Sequence, residues 1–164
     1  MSQPNKDVSQ RHEVDMITLG NSLPTLESLA AVGSLLRERA EPDEVTALVR
    51  SACLRLGDAR IDSLSEQSRF DLGHNAAHLL AHAALRWHGY RSTDTYLAFH
   101  CLAETLGVDT WISSLLSLCH DRWLGLACEG LVDADVPLVD EMLKAAELLL
   151  QRVLALDEIV QEGS

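Results

Sequence analysis

Basic side chains are scarce in this sequence of 164 residues. Its 13 lysines and arginines face 25 aspartates and glutamates, so the formal net charge is −12, and only Lys6 and Lys144 are lysines. Phosphate contacts to DNA, RNA or anionic lipid need a basic face, which this composition does not favour. We therefore expect no DNA and no membrane among the partners. RNA or a nucleotide as a ligand gains no support from the net charge.

Aromatic residues and strand signals are also few. Aromatic residues make up 4% of the chain, whereas hydrophobic residues make up 47%. Leucine and alanine supply most of the apolar side chains, and both are strong helix formers. The sequence contains no sustained alternation of Val, Ile or Thr and no Asn-Gly or Asp-Gly turn, which are the signals of strands and hairpins. This composition predicts an all-α fold.

The sequence lacks signals for secretion, membrane insertion and common enzyme chemistry. Residues 1–15 are polar with mixed charge, and no apolar run is long enough to span a bilayer,. We find no Gly-rich phosphate loop, Gly-x-Ser-x-Gly or His-Glu-x-x-His motif, and we expect no cofactor. The four cysteines form no CxxC pair and are expected to be reduced, mostly buried thiols of a cytoplasmic protein: Cys53, Cys101, Cys119 and Cys128.

Six amphipathic segments are separated by short connections that contain Gly or Pro. Short connections imply antiparallel neighbours, so we predict an up-and-down bundle of four to five main helices plus a short helix. Residues 1–21 are expected to be a flexible segment, and 22–164 a single helical-bundle domain. The predicted helices cover 24–39, 42–57, 65–88, 94–106, 109–129 and the chain from Pro137 onward.

The third predicted helix is expected at the centre of the bundle. No charged residue lies between Asp71 and Arg86, and apolar residues occupy nearly every face of the segment,. Ser65 is a suitable N-cap, and Gly89 is a suitable stop. Asn75 lies among apolar neighbours, and we expect its amide to tie this helix to a loop carbonyl or to the next helix.

The chain resembles the HEPN-like helical domains of bacteria and archaea in two stretches, RFDLGHNAA at 69–77 and, after Ala-Leu at 84–85, GYR at 89–91. In those domains a long central helix carries an Asn-Ala-Ala-type segment and ends in a Gly-Tyr-Arg turn. The resemblance implies a four- or five-helix bundle that is often paired into a dimer. Members either cleave RNA, in toxin–antitoxin-related settings, or accompany nucleotidyltransferase modules, so a nucleotidyltransferase-type protein is an implied partner.

Catalytic members of that family carry an Arg, then a polar residue, and a His after four to six intervening residues. Such an Arg holds phosphate, and such a His moves a proton near neutral pH. Here Arg122 matches the Arg, but Trp123 stands at the polar position, and Ala, Cys and Glu fill 127–129. The motif is incomplete, which favours a non-catalytic homodimer whose groove accommodates a nucleotide or RNA. The alternative is a metal-independent endoribonuclease with Arg122 on phosphate and His120 as acid/base.

Three histidines follow one another in four-residue steps. His74, His78 and His82 therefore share one helical stripe,. An adjacent pair could bind a metal ion with His100 or His120, but all three cannot reach one ion, because eight residues span about 12 Å of helix. The favoured interpretation is a polar seam in which each imidazole bonds to a neighbouring helix. Metal binding stays the weaker alternative.

The remaining candidates for ligand or interface contacts are aromatic or basic. Tyr90 is expected to pack over the end of the third helix, and Arg91 to cap its carbonyls, with an anion contact as the alternative. The tryptophans are expected to be core or interface anchors. Trp123, beside Arg122, is the preferred candidate for the dimer interface.

Overall fold

A computed structural model of the protein describes residues 24–129 and 136–162. The predicted flexible segment, 1–21, lies outside these ranges. The regular secondary structure of the described chain is helical apart from one pair of two-residue strands, which confirms the all-α prediction. No described helix has the length and apolarity needed to cross a membrane. The elements are α1 (Leu26–Ala31), β1 (Leu36–Arg37), α2 (Glu44–Ala59), α3 (Glu66–Trp87), β2 (Tyr90–Arg91), α4 (Thr95–His100), α5 (Leu102–Leu106), α6 (Thr110–Glu129) and α7 (Val136–Glu162).

Helix α3 begins and ends where the sequence predicts. The Ser65 hydroxyl accepts a hydrogen bond from the Ser68 amide at 3.1 Å, and Gly89 follows the helix with a φ of 85°. Helices α2, α4, α5, α6 and α7 and strand β2 all contact α3, so its predicted central place is confirmed. Its fully buried side chains are mostly small, which allows the surrounding helices to approach closely: Phe70, Ala76, Ala77, Leu80, Ala81, Ala83, Ala84 and Leu85.

Helices α3 and α7 approach each other most closely at Gly73. A Cβ atom added there would lie 2.7 Å from Leu143 Cδ2 and 2.8 Å from Met142 Cε. Both distances are shorter than van der Waals contact, so a side chain at this position would displace the α7 side chains. The glycine therefore sets the spacing of the two longest described helices.

Arg86 is a buried cation at the C-terminal end of α3. Its side chain is 5% exposed, and its Nε donates a hydrogen bond to Glu44 Oε1 of α2 at 2.7 Å. Its terminal nitrogens donate to the backbone carbonyls of Glu38 at 2.9 Å and Tyr90 at 3.3 Å. The guanidinium holds the pKa of Glu44 below its usual value. Arg86 therefore joins α2, α3 and the segments around both strands.

The predicted helix over 24–39 is wrong beyond Ala31. Gly33 adopts a φ of 81°, and the Ser34 amide donates to the Leu29 carbonyl at 2.9 Å, which is a glycine-terminated helix end. Residues 36–37 pair antiparallel with residues 90–91. The expectation that the chain contains no strands is therefore also wrong. The physical reason is the left-handed turn at Gly33, and Arg86 then donates hydrogen bonds to the Glu38 and Arg39 carbonyls beyond it,.

Tyr90 and Arg91 lie in the short strand β2 and not over the helix end. Tyr90 is buried, and its hydroxyl donates a hydrogen bond to Glu27 of α1. The Arg91 guanidinium lies 3.7 Å from the Glu38 carboxylate. Arg91 thus makes an anion contact within the chain, and no carbonyl cap is formed by it among the described contacts.

The predicted fourth helix is divided in two at Cys101, which separates α4 from α5. The Asp94 carboxylate accepts from the Tyr96 amide at 3.0 Å and begins α4,. Gly107, at a φ of 66°, ends α5, as predicted. Cys101 and Cys119 are buried thiols, whereas Cys53 is exposed; burial raises the pKa of Cys119 to about 12.

Gly73→Leu is expected to lower the free energy of unfolding by about 1–3 kcal/mol, because it overpacks the contact between α3 and α7. Gly57→Leu in α2 is the matched control, since an added Cβ there meets nothing within 4 Å. The control should leave the stability unchanged or raise it by up to about 1 kcal/mol through helix propensity. Urea unfolding of the two variants measures both effects, and equal effects would contradict the close approach at Gly73.

Candidate functional site

The densest group of titratable side chains in the described structure lies where α3 faces α4 and α6. It consists of His74, His78 and His82 of α3 and His120 of α6, and we call it the histidine cluster. The four-residue steps along α3 place its three imidazoles on one stripe. Phe99 of α4 contacts the cluster edge-on, with its ring centroid 6.4 Å from that of His74.

His74 and His120 form a hydrogen-bonded pair. His74 Nε2 lies 2.9 Å from His120 Nδ1, and the rings are stacked with centroids 5.1 Å apart. One nitrogen must donate and the other accept, so both imidazoles cannot be protonated while this bond exists. Both side chains are buried. At most one imidazole of the pair can carry a proton on both nitrogens, and burial favours two neutral rings with complementary tautomers.

Burial favours the neutral form of every imidazole in the histidine cluster. Desolvation, with smaller contributions from neighbouring imidazoles, lowers the pKa of His74 to about 3 and the pKa of His82 to about 4. Desolvation also lowers the pKa of His78 and of His120. The carboxylates of Asp121 and Asp94 oppose the shift at His120 but do not reverse its direction.

Trp123 contacts the histidine cluster inside its own chain. Its ring stacks on His74 with centroids 4.6 Å apart, and its Nε1 donates a hydrogen bond to Asp71 Oδ1 at 2.8 Å. The indole is thus used to hold α6 against α3. This contact gives Trp123 a role within the chain, whereas the sequence suggested a dimer interface.

Helix α4 supplies further contacts to the cluster. Thr95 Oγ1 lies 3.0 Å from His78 Nδ1. The Tyr96 ring meets His120 edge-on at 4.5 Å, and its hydroxyl donates to Asp121, which raises the pKa of Tyr96 to about 12. The predicted polar seam is therefore present at His74 and His78, because each of these imidazoles bonds to a neighbouring helix.

Two fully buried nitrogens of the cluster have no hydrogen-bond partner. They are His74 Nδ1 and His82 Nε2, both buried. They do not form a metal site with their surroundings: no three His, Cys, Asp or Glu side chains in the described ranges converge on one point. His120, the expected third ligand, is bonded to His74, and His100 is exposed. The metal alternative therefore has no ligand set among these residues.

Asn75 bonds within its own helix. Its Nδ2 donates to the Asp71 carbonyl one turn earlier, at 2.8 Å. The expected tie to a loop or to the next helix is wrong, because this carbonyl lies within reach of the half-buried side chain. The residue helps to stabilise the first half of α3.

Arg122 and His120 point to different sides of α6. His120 is buried against α3 and α4, whereas Arg122 is exposed. Two positions along an α-helix are rotated by roughly 200°, so their side chains diverge. Within one chain they do not form the shared cleft that the ribonuclease alternative requires.

Sequence reasoning did not single out Thr95, Tyr96 or Asp121 as parts of this site. Asp121 adjoins His120 in the sequence, and Thr95 and Tyr96 follow the capping Asp94. Those positions carry signals of local structure only. Their contact with the histidines follows from the packing of α4 on α3 and α6, which no local pattern specifies.

Comparisons with known proteins returned nothing: no family model matches the chain, and no match was found among curated proteins or solved structures. Functional inference for this protein therefore depends on its own residues and their geometry.

Acidification from about pH 7 to about pH 5 is expected to destabilise the protein. The folded pKa values of His74 and His82 lie below the ordinary value of 6.5, so the unfolded chain binds protons first. Stability that is fully present above about pH 6.5 is then lost as the pH falls toward the folded values. The free energy of unfolding then changes with pH by about 1.4 kcal/mol per pH unit for each histidine that takes up a proton on unfolding.

Urea unfolding at several pH values within this range measures the slope while most carboxylates stay ionised. His82→Leu should make the slope shallower without lowering stability at neutral pH, because it removes a titrating group whose Nε2 is buried and unpartnered,. A stability that does not change across the range would show that the imidazoles are not buried in neutral form.

Proposed function

We propose that this chain is a non-catalytic, HEPN-like up-and-down helical bundle that acts through protein–protein contacts as a homodimer. The observation that carries the proposal is the outer face of α6. There Trp111 is 56% exposed and Leu118 is 43% exposed. Large exposed apolar side chains on one helical face are typical of interaction sites.

The outer face of α6 is a continuous stripe. Trp111, Leu118 and Gly125 are separated by seven residues, which is close to two helical turns, so they lie on one side of the helix. Ser114 and Arg122 lie between them on the same side. We call these five residues the α6 stripe. A Cβ atom added at Gly125 would meet nothing within 4 Å, so space is open at that end.

The α6 stripe is complementary to itself. In an antiparallel pair of α6 helices centred on Leu118, Trp111 of one copy lies opposite Gly125 of the other, because both positions are seven residues from the centre. The same symmetry places Ser114 opposite Arg122. A two-fold interface requires such self-complementarity, and a large indole opposite a glycine fulfils it at both ends.

Charge also favours contact through α6. The chain carries a net charge of −12, so two copies repel each other over most of their surfaces. Between Thr110 and Gly125 the only charged residues are Asp121 and Arg122, whose charges cancel. This low charge makes α6 a favourable long helix on which two acidic chains can meet.

The sequence resemblance and the enclosed cluster support a non-catalytic role. The long central helix with its RFDLGHNAA and GYR stretches is the basis for the HEPN-like assignment. His120, the candidate acid/base, is buried, bonded to His74 and shifted to a lower pKa. A general acid/base must reach its substrate, and the buried, hydrogen-bonded His120 is poorly suited to do so.

Leu118→Glu is expected to weaken the dimer at least about tenfold, because two glutamates would face each other at the symmetry axis. Leu54→Glu is the matched control, since Leu54 is 65% exposed on α2 and away from the α6 stripe. The control should dimerise as the wild type does. Sedimentation equilibrium measures the dissociation constants, and circular dichroism verifies that both variants fold. A monomeric wild type at the highest soluble concentration, or equal effects of both substitutions, would contradict this proposal.

The purified protein is expected to leave single-stranded and hairpin RNA intact, since the candidate catalytic pair diverges. Gel electrophoresis of labelled RNA incubated with the wild type, Arg122→Ala and His120→Ala tests this. Cleavage by the wild type that both substitutions abolish would establish the ribonuclease alternative in place of a non-catalytic role.

A further inference from the structure

A second feature, separate from the histidine cluster and bordering the α6 stripe at Ser114, is a cavity of about 370 Å³ between α1, α4, α5 and the first turns of α6. Its walls include Leu29 of α1, Leu97 of α4 and Ala103 of α5. Small-molecule sites in proteins have volumes of roughly 300–1,000 Å³ and mostly apolar walls. The cavity meets both criteria.

The side chains that line the cavity carry little charge. The described lining contains no Asp, Glu, Lys or Arg, and His100 lies at its exposed edge. Burial, together with the nearby Glu104 carboxylate, raises the pKa of Cys101 to about 11. Its thiol is therefore protonated and forms part of the apolar wall. An ionic ligand would find no partner of opposite charge in the described wall.

One polar group in the wall has no partner. Ser113 of α6 is 6% exposed, and its buried Oγ makes no hydrogen bond. The neighbouring Ser114 differs, because its Oγ donates to the Thr110 carbonyl one turn earlier at 3.3 Å. A buried hydroxyl without a partner destabilises a protein, and native structures contain few such groups. A molecule bound in the cavity that Ser113 lines would supply the missing hydrogen bond once the side chain rotates toward it.

We propose that this cavity is a binding site for a neutral, mostly apolar small molecule with one hydrogen-bonding group directed at Ser113 Oγ. The apolar walls bury the body of the ligand, and the single hydroxyl fixes its orientation. The uncharged lining selects against anions and cations. The bound ligand then supplies the hydrogen bond that Ser113 Oγ lacks in the protein alone.

The test uses three probes of similar shape: 4-methylphenol, toluene and 4-methylbenzoate. Amide NMR shifts of residues 97–103 and 110–114 in the full chain report binding at the cavity. We expect 4-methylphenol to bind about three- to tenfold more tightly than toluene, which is the size of one hydrogen bond. The 4-methylbenzoate anion should give no saturable shift.

Ser113→Ala and Ser114→Ala are the matched variants. Ser113→Ala should abolish the preference for 4-methylphenol and leave the toluene affinity unchanged, whereas Ser114→Ala should retain the preference. Without ligand, Ser113→Ala should be at least as stable as the wild type, because it removes an unpaired buried hydroxyl.

Three binding results would each overturn this assignment. One is the absence of saturable shifts at these amides with every probe. Another is an unchanged preference for 4-methylphenol in Ser113→Ala, and the last is binding of 4-methylbenzoate as tight as that of 4-methylphenol. A Ser113→Ala protein that unfolds would mean that the hydroxyl is already satisfied within the fold, which equally removes the basis of the site.

Discussion

The structure depends on the enclosure of α3, because a helix that is covered by its neighbours must pair its polar side chains inside the protein. At its C-terminal end, Arg86 meets this requirement with Glu44 and with the backbone carbonyls of Glu38 and Tyr90. Near its N-terminal end, His74 meets it with His120. The two pairings determine how the chain on either side of α3 is arranged: Arg86 holds the strand segments, and His74 holds α6.

Because α6 packs against α3, the two sides of α6 differ. The inner side carries His120 and Trp123, whose rings pack on His74. The outer side is left with Trp111, Leu118 and an open glycine position. A helix that is fixed on one side by a hydrogen-bonded cluster presents its other side rigidly. Rigid presentation lowers the entropy lost on association, which suits the protein-contact role that we propose.

Much of the helical framework could be predicted from local signals. Ser65 and Gly89 bound α3 as expected, and Gly107 ends α5, because capping and left-handed turn positions depend on adjacent residues. Prediction of 24–39 failed because Gly33 adopts a left-handed conformation that ends α1,. The pairing of 36–37 with 90–91 joins segments more than fifty positions apart. No sequence pattern within either segment predicts this pairing.

The sequence by itself determined the all-α class, the central position of α3 and the stripe of histidines along it. These follow from composition and from the 3.6-residue period, both of which are local properties. Only the tertiary structure decided that His74 pairs with His120, that Trp123 turns inward while Trp111 stays exposed, and that Arg86 joins both strand segments. Each of those outcomes depends on which residues of distant segments meet. The packing of whole helices around α3 decides which distant residues meet. The native arrangement is the one that buries most of its polar groups together with hydrogen-bond partners.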